Sequence, residues 1–421
     1  MRAVAATVKV FTLLIASYLL LGAVAYVMPD KRVRDHVGET RYIGDLLNDY
    51  PKAILFTDLH VQDSYTLDCY TEAIIVNQAL SLRTEGIKGI LLLPRQQTGY
   101  PNQCASLERV MERADNLTTI HYGRYWHGST FVVRILLVFL NFLQIRYLLY
   151  FVSTLLLLWC FARLWNKVSR IVAVAIPVGL LLVNVYVMQF SFQFAPVLLL
   201  AEAGMLWLGY HRRADNMQCG LFFLALGSLT SYFDLITVPT LTLGLPLLVW
   251  IACRRSTDWK QGSLGILKLS LWWLGGYVAT WLTKWGLATL LTDTNILADA
   301  YAGGAGWLDD GGRFVFNAVA ECAKRIHWPY LIPMVALLVF AMIRYPRRQG
   351  WSMALQYALV MFVPIAYYIL MAKPAAYHSW FNYRAYATAV AALIAALAAM
   401  VDWSRITQLF SKNTDNDTDR A

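Results

Sequence analysis

The sequence predicts a mainly α membrane protein, a polytopic bundle of about ten helical spans with a small α/β lobe outside the membrane after the first span. Three observations predict it. The 421 residues are 58% apolar and 15% charged, where ordinary soluble domains carry about 25% charged residues. Apolar runs of span length recur along the chain. Lysine and arginine fall in short clusters between alternate runs, as in loops that insertion leaves on the cytoplasmic side. The formal charge of +10 is therefore a property of topology, and nucleic acid is not expected as a partner.

Val10 to Met28 is the first apolar run, after Arg2 and Lys9. It continues past Ala23-Val24-Ala25, a stretch resembling a signal-peptidase site, so residues 1–28 read as an uncleaved anchor. Residues 29–145 read as an extracytoplasmic loop. In it, Ala53–Phe56 and Ile90–Leu93 are apolar runs of strand length, and Tyr70 to Leu82 repeats apolar residues at helical spacing. Phe131 to Leu143 carries Arg134 and Asn141, is too short to span, and reads as an interfacial or re-entrant helix.

Residues 146–403 hold the other spans, expected near 146–164, 171–190, 194–210, 219–237, 239–253, 265–287, 328–344, 353–372 and 385–403. The expected inner connections carry Arg163, Lys167 and Arg170; Arg212 and Arg213; Arg254, Arg255 and Lys260; Arg344, Arg347 and Arg348. The short turns near 190 and 238 carry no lysine or arginine, which puts them outside with a second loop near 288–327 and a last turn at 373–384. Both the N-terminus and the polar tail 404–421 are then cytoplasmic. No internal repeat is evident, which weighs against a transporter built from inverted halves.

Acids crowd the stretch from Asp58 to Glu72. A helix starting near Asp68 would place Asp68 and Glu72 one turn apart on one face. There a carboxylate can take a proton from an acceptor hydroxyl; the alternative is that Asp68 caps the helix and Glu72 serves its dipole. Asp234 lies at the outer end of an apolar run before Pro239, where a carboxylate faces a protein-lined or watery cavity. Arg124, Tyr125, Trp126 and His127 precede the stretch bearing Arg134. His378, Tyr383 and Arg384 belong to the last outer turn, where positive charge is not required by topology. Such arginines suit a phosphate oxygen. Cys69 and Cys104 share the outer loop and are candidates for a disulfide. No metal-ligand spacing appears, and a divalent metal remains open as a cofactor.

Tyr125-Trp126-His127-Gly128, Leu140 to Arg146, Tyr232 to Thr237 and Phe381-Asn382-Tyr383-Arg384 resemble a poorly characterised group of multispan bacterial envelope proteins. The layout of one helix, a large outer loop with acids and many spans resembles the GT-C membrane glycosyltransferases. That resemblance implies transfer of a sugar from a polyprenyl-phosphate donor to an envelope glycan, lipid or protein, at the bacterial inner membrane. Asp68 or Asp58 would be the catalytic acid, with Asp234 nearby. Arg384, His378, Tyr383, Arg134, Arg124, His127 and Glu72 would bind substrate. A flippase for a lipid-linked saccharide and a non-enzymatic assembly factor are the competing expectations.

Overall fold

The computed structural model describes residues 2–41, 66–97, 99, 102–308 and 311–408. Helix α1 (Arg2–Val27) is followed by the polar helix α2 (Asp30–Arg41). Val33 and Val37, one turn apart on α2, are both buried. The lobe then runs α3 (Cys69–Ser81), α4 (Gly89–Leu92), β1 (Pro94–Gln97), α5 (Gln103–Met111) and β2 (Thr118–His121). The strands pair antiparallel, with Pro94 opposite His121. The helix expected over Tyr70–Leu82 is present as α3. Ile90–Leu93, by contrast, is no strand. Ile90 to Leu92 lie in α4, and Leu93 ends the helix in a left-handed conformation at φ 48°. All four side chains are buried, and a short apolar run without alternation serves a helix as well as a strand. The run Ala53–Phe56 lies outside the described residues.

The stretch 131–143 divides between two helices. Its first part belongs to α6 (Gly128–Leu136). Asn141 and Gln144 then form a capping box that starts α7 (Phe142–Lys167). After it come α8 (Arg170–Leu181), α9 (Val185–Gln189), α10 (Ala195–Tyr210), α11 (Asn216–Phe233), α12 (Leu241–Arg254) and α13 (Trp259–Leu291). The segment near 288–327 contains α14 (Ile296–Leu308) and α15 (Gly311–Lys324). The chain ends in α16 (Trp328–Arg344), α17 (Trp351–Leu370), the short α18 (Ala372–Tyr377) and α19 (Ser379–Asn382), and α20 (Tyr386–Ala399).

Every segment expected to span contains a helix, but their lengths differ. Among the described residues four stretches are long and apolar enough to cross a bilayer: Ala3–Val27, Phe142–Lys167, Arg348–Leu370 and Ser379–Ala399. The pair Gly312–Lys324 and Trp328–Arg344, bent by 84°, makes a fifth if it counts as one span. Helix α8 has 12 residues, about 18 Å against a hydrocarbon core of about 30 Å. The expected span 171–190 breaks after it, where Asn184 takes φ 56°. Helix length and composition alone thus support four or five crossings among the described residues.

The surface is that of a membrane protein. Leu264, Leu267, Leu271, Leu274, Val278 and Leu282 form one exposed stripe along α13. A stripe of that kind is unfavourable in water and matches lipid tails. The opposite side of α13, with Tyr277, Thr280 and Lys284, is buried. At the centre, α20 buries nearly its whole circumference, because its alanines let neighbours approach closely. A Cβ at Gly179 of α8 would fall 2.6 Å from the Ala387 carbonyl oxygen.

The two ends of the bundle differ. Helix α7, of 26 residues, separates them by about 39 Å. The lobe sits at one end. At the other, a cavity is lined by Lys167, Arg170, Arg255 and Arg347, among others. There Arg255 Nη2 donates to the Val168 carbonyl at 2.8 Å and the Arg347 N–H to the Met400 carbonyl at 2.8 Å. The cation clusters of the expected inner connections therefore meet at a single end.

Candidate functional site

Where the lobe meets the bundle, several of the candidate residues have structural work. The two oxygens of Asp68 accept from the Thr71 N–H at 3.0 Å and the Thr71 hydroxyl at 2.7 Å, so Asp68 caps α3. Glu72 is tied into the interior. It forms a buried ion pair with Arg146 and accepts from the Phe192 N–H at 2.8 Å. Arg134 is likewise consumed inside the protein. Its guanidinium donates to the carbonyls of Ala25 (2.7 Å), Met28 (3.0 Å) and Ala79 and pairs with Asp30, tying α6 to α1 and α3. The expected disulfide is not made. Cys69 and Cys104 are both thiols, and Cys104 Sγ donates to the Cys69 carbonyl oxygen at 3.7 Å. Burial and neighbouring Glu72 push the Cys69 thiol up to about 12, which keeps it protonated and unreactive.

Arg384 follows α19 and is fully buried. Its guanidinium lies over the rings of Phe194 and Tyr383, at 5.3 and 5.1 Å from their centroids. It is within electrostatic range of Asp68 and Arg325. Tyr383 is held by Asn184, whose Nδ2 donates to the phenol oxygen at 3.1 Å, and Asn184 Oδ1 lies 2.9 Å from His327 Nε2. Asp68 at the start of α3 and Arg325 just past α15 are thus both within electrostatic range of Arg384, in the turn before α20. His378 stands beside them on the chain and stacks on Phe381, with ring centroids 5.2 Å apart; burial lowers its pKa.

Asp234 belongs to a second group. It is buried at the break between α11 and α12, where it accepts from the Thr237 N–H at 3.1 Å. Ile236, at φ 61°, makes the turn. The Tyr367 hydroxyl of α17 donates to the Ile236 carbonyl at 2.7 Å and lies 3.2 Å from Asn382 Oδ1. Asp234 is within electrostatic range of Tyr125, Tyr277 and Tyr367. Asn382, two residues before Arg384, therefore links the two groups.

The loop before α6 faces the same break. Trp126 Nε1 donates to the Thr280 carbonyl, and Trp285 Nε1 to the Arg124 carbonyl, both at 2.8 Å. His127 takes a left-handed φ of 51°. At Gly128 a Cβ would meet the Tyr232 ring at 2.4 Å, so only glycine fits. Burial, then the charges of Lys284, Arg124 and Arg95, hold the His127 imidazole well below its ordinary pKa. Beside it opens an apolar groove of about 240 Å³, whose walls include Arg124, Tyr125, Ile236, Trp281, Trp285 and Leu370.

Of the stretches that carried the resemblance, the one around His127 thus packs against the one around Asp234, and Tyr367 joins the latter to the one around Arg384. Asp58 lies outside the described residues. Arg95, Lys284, Arg325 and Tyr367 were not singled out from the sequence. Lys284 carried a signal, since a lysine inside an apolar helix is rare outside functional or paired positions. Among the described residues, no group of three or more His, Cys, Asp and Glu is placed to hold a metal ion. No family model, curated protein or solved structure matches the chain.

Proposed function

We propose that this chain is a membrane glycosyltransferase of the GT-C type, moving a sugar from a polyprenyl-phosphate donor to an envelope glycan, lipid or protein acceptor. The observation that supports it is the gathering of Asp68, Arg325 and Arg384 from three distant segments at the lobe end. A carboxylate within electrostatic range of a buried guanidinium suits base-assisted transfer to a hydroxyl, with the donor phosphate held by charge-assisted hydrogen bonds. In this reading Asp68 is the general base and Arg384 the phosphate clamp, while Asp234 shapes the adjoining turn. The enzyme sits in the bacterial inner membrane with about ten crossings, its lobe outside and both termini cytoplasmic.

The test is envelope glycan analysis of cells carrying the wild-type chain or Asp68→Asn, Asp234→Asn and Arg384→Lys variants. Asp68→Asn should lose the transferred sugar, and a positioned carboxylate is worth roughly 10²–10⁴ in rate. Arg384→Lys keeps the charge without the planar fork and should transfer poorly. If all three variants give wild-type envelope glycans at normal expression, the proposal fails.

A further inference from the structure

The loop before α6 holds unfilled hydrogen-bonding capacity that the transfer reading does not use. Arg95 Nε, Arg124 Nε and both ring nitrogens of His127 are buried without a hydrogen-bond partner. All three side chains surround one ring. The guanidiniums of Arg95 and Arg124 lie 5.8 and 5.0 Å from the Tyr122 centroid, and the His127 ring 4.9 Å from it. Lys284 reaches the same loop from α13 and donates to the Leu91 carbonyl at 2.7 Å. Asp299 lies 3.8 Å from Arg124 Nη1 but is half-exposed, and Asp234 lies within range of Tyr125.

Buried donors left unmade are costly, and native proteins fill such places with an acceptor. Arginine N–H groups are donors only, so the matching ligand group is rich in acceptors and negative. Arg124 and Tyr125 also line the apolar groove, whose other walls include Trp281, Trp285, Ile236 and Leu370. Its volume of about 240 Å³ leaves room for part of an apolar chain.

We infer that this place is a second lipid-phosphate site, separate from Arg384, with the phosphate among Arg95, Arg124 and His127 and a single apolar chain in the groove. The inference deepens the transfer reading and rests on it for one consequence. If Arg384 holds the donor phosphate, a second lipid phosphate belongs to the acceptor, so both partners of the reaction are lipid-borne.

The test is calorimetric titration of the purified full chain, in micelles of an uncharged detergent, with farnesyl phosphate, farnesol, inorganic phosphate and phosphatidylglycerol. Farnesyl phosphate should fill two sites per chain. Arg124→Gln and Arg95→Gln should each abolish one of them, and Arg384→Gln the other. Farnesol should bind the groove at least tenfold more weakly. Arg95 lies in the lobe, so Arg95→Gln reads the same loss should Arg124→Gln fail to fold. Two sites retained in both variants, or equal binding of farnesol, would overturn the second site. Equal binding of inorganic phosphate would remove its lipid character, and equal binding of phosphatidylglycerol its single-chain character. Loss of the Arg384 site with this one intact would instead leave the second site standing. Its wild-type counterpart, a chain with no Arg384 site at all, counts against the transfer reading alone.

Discussion

Glu72 and Arg146 are nearly sealed from solvent, and each neutralises what would otherwise be an isolated buried charge. Removing one partner of such a pair costs about 3–5 kcal/mol, mostly from the charge left behind. Glu72→Gln should therefore lower the melting temperature of the detergent-solubilised chain substantially. An unchanged melting temperature would show that the pair is not closed. His127 gives the complementary case, a group kept neutral by burial and by the nearby cations. The unfolded chain protonates this imidazole below about pH 6.5, and the folded chain does not. The unfolded state then binds the extra proton, so stability is full above that pH and is lost as the pH falls below it. Unfolding midpoints measured from pH 7.5 to 5.5 should decline, and less steeply in His127→Gln. Equal slopes for the two proteins would exclude His127 as the source.

At the scale of elements, the loop before α6 and the end of α11 act as one unit. Tyr232 stacks on Tyr18 of α1 at a centroid distance of 4.0 Å and leaves no space for a side chain at position 128. Gly128→Ala must displace the Tyr232 ring, and overpacking of this kind costs about 1–3 kcal/mol. The variant should melt earlier and lose the farnesyl phosphate site of the groove while keeping the Arg384 site. Retention of both would mean that the loop tolerates the shift. What the sequence revealed follows the range of each interaction. Capping is local, so Asp68 before α3 is readable from a few residues. The partners of Glu72 and Arg134 come from other elements, and no local pattern announces them. Hence Arg134 resembles a free cation at an interface until α1 and α3 are placed around it. Asp234 is legible as an acid at a broken helix because Pro239 follows five residues later. The tyrosines of α13 and α17 that face it are visible only in three dimensions.

For the whole molecule, the opposed ends decide what labelling experiments see. Helix α13 runs from the cation-rich end to the lobe, where Lys88 pairs with Asp293 just past its last turn. With 33 residues it is about 50 Å long, more than a hydrocarbon core of about 30 Å. Helix α17 also starts at the cation-rich end, and α20 finishes there, with the Asp402 N–H donating to the Tyr345 carbonyl at 2.8 Å. Of the shorter helices, α8 packs against α7 and α20, α10 against α7, and α12 against α17 and α20. Lysine and arginine are retained on the cytoplasmic side, so the end bearing Lys167, Arg212, Arg255 and Arg347 should face the cytoplasm and the lobe the other side. Single cysteines placed at Arg213, Arg347 and Ser404 in a cysteine-free chain should then resist a membrane-impermeant thiol reagent in intact cells and react after permeabilisation. A cysteine at Gly99 or Thr118 in the lobe should react without permeabilisation. Labelling of the lobe and of Ser404 from the same side would require an odd number of crossings fewer or more between them. It would also separate the cation-rich end from the cytoplasm and remove the lobe-outside arrangement on which the transfer reading depends.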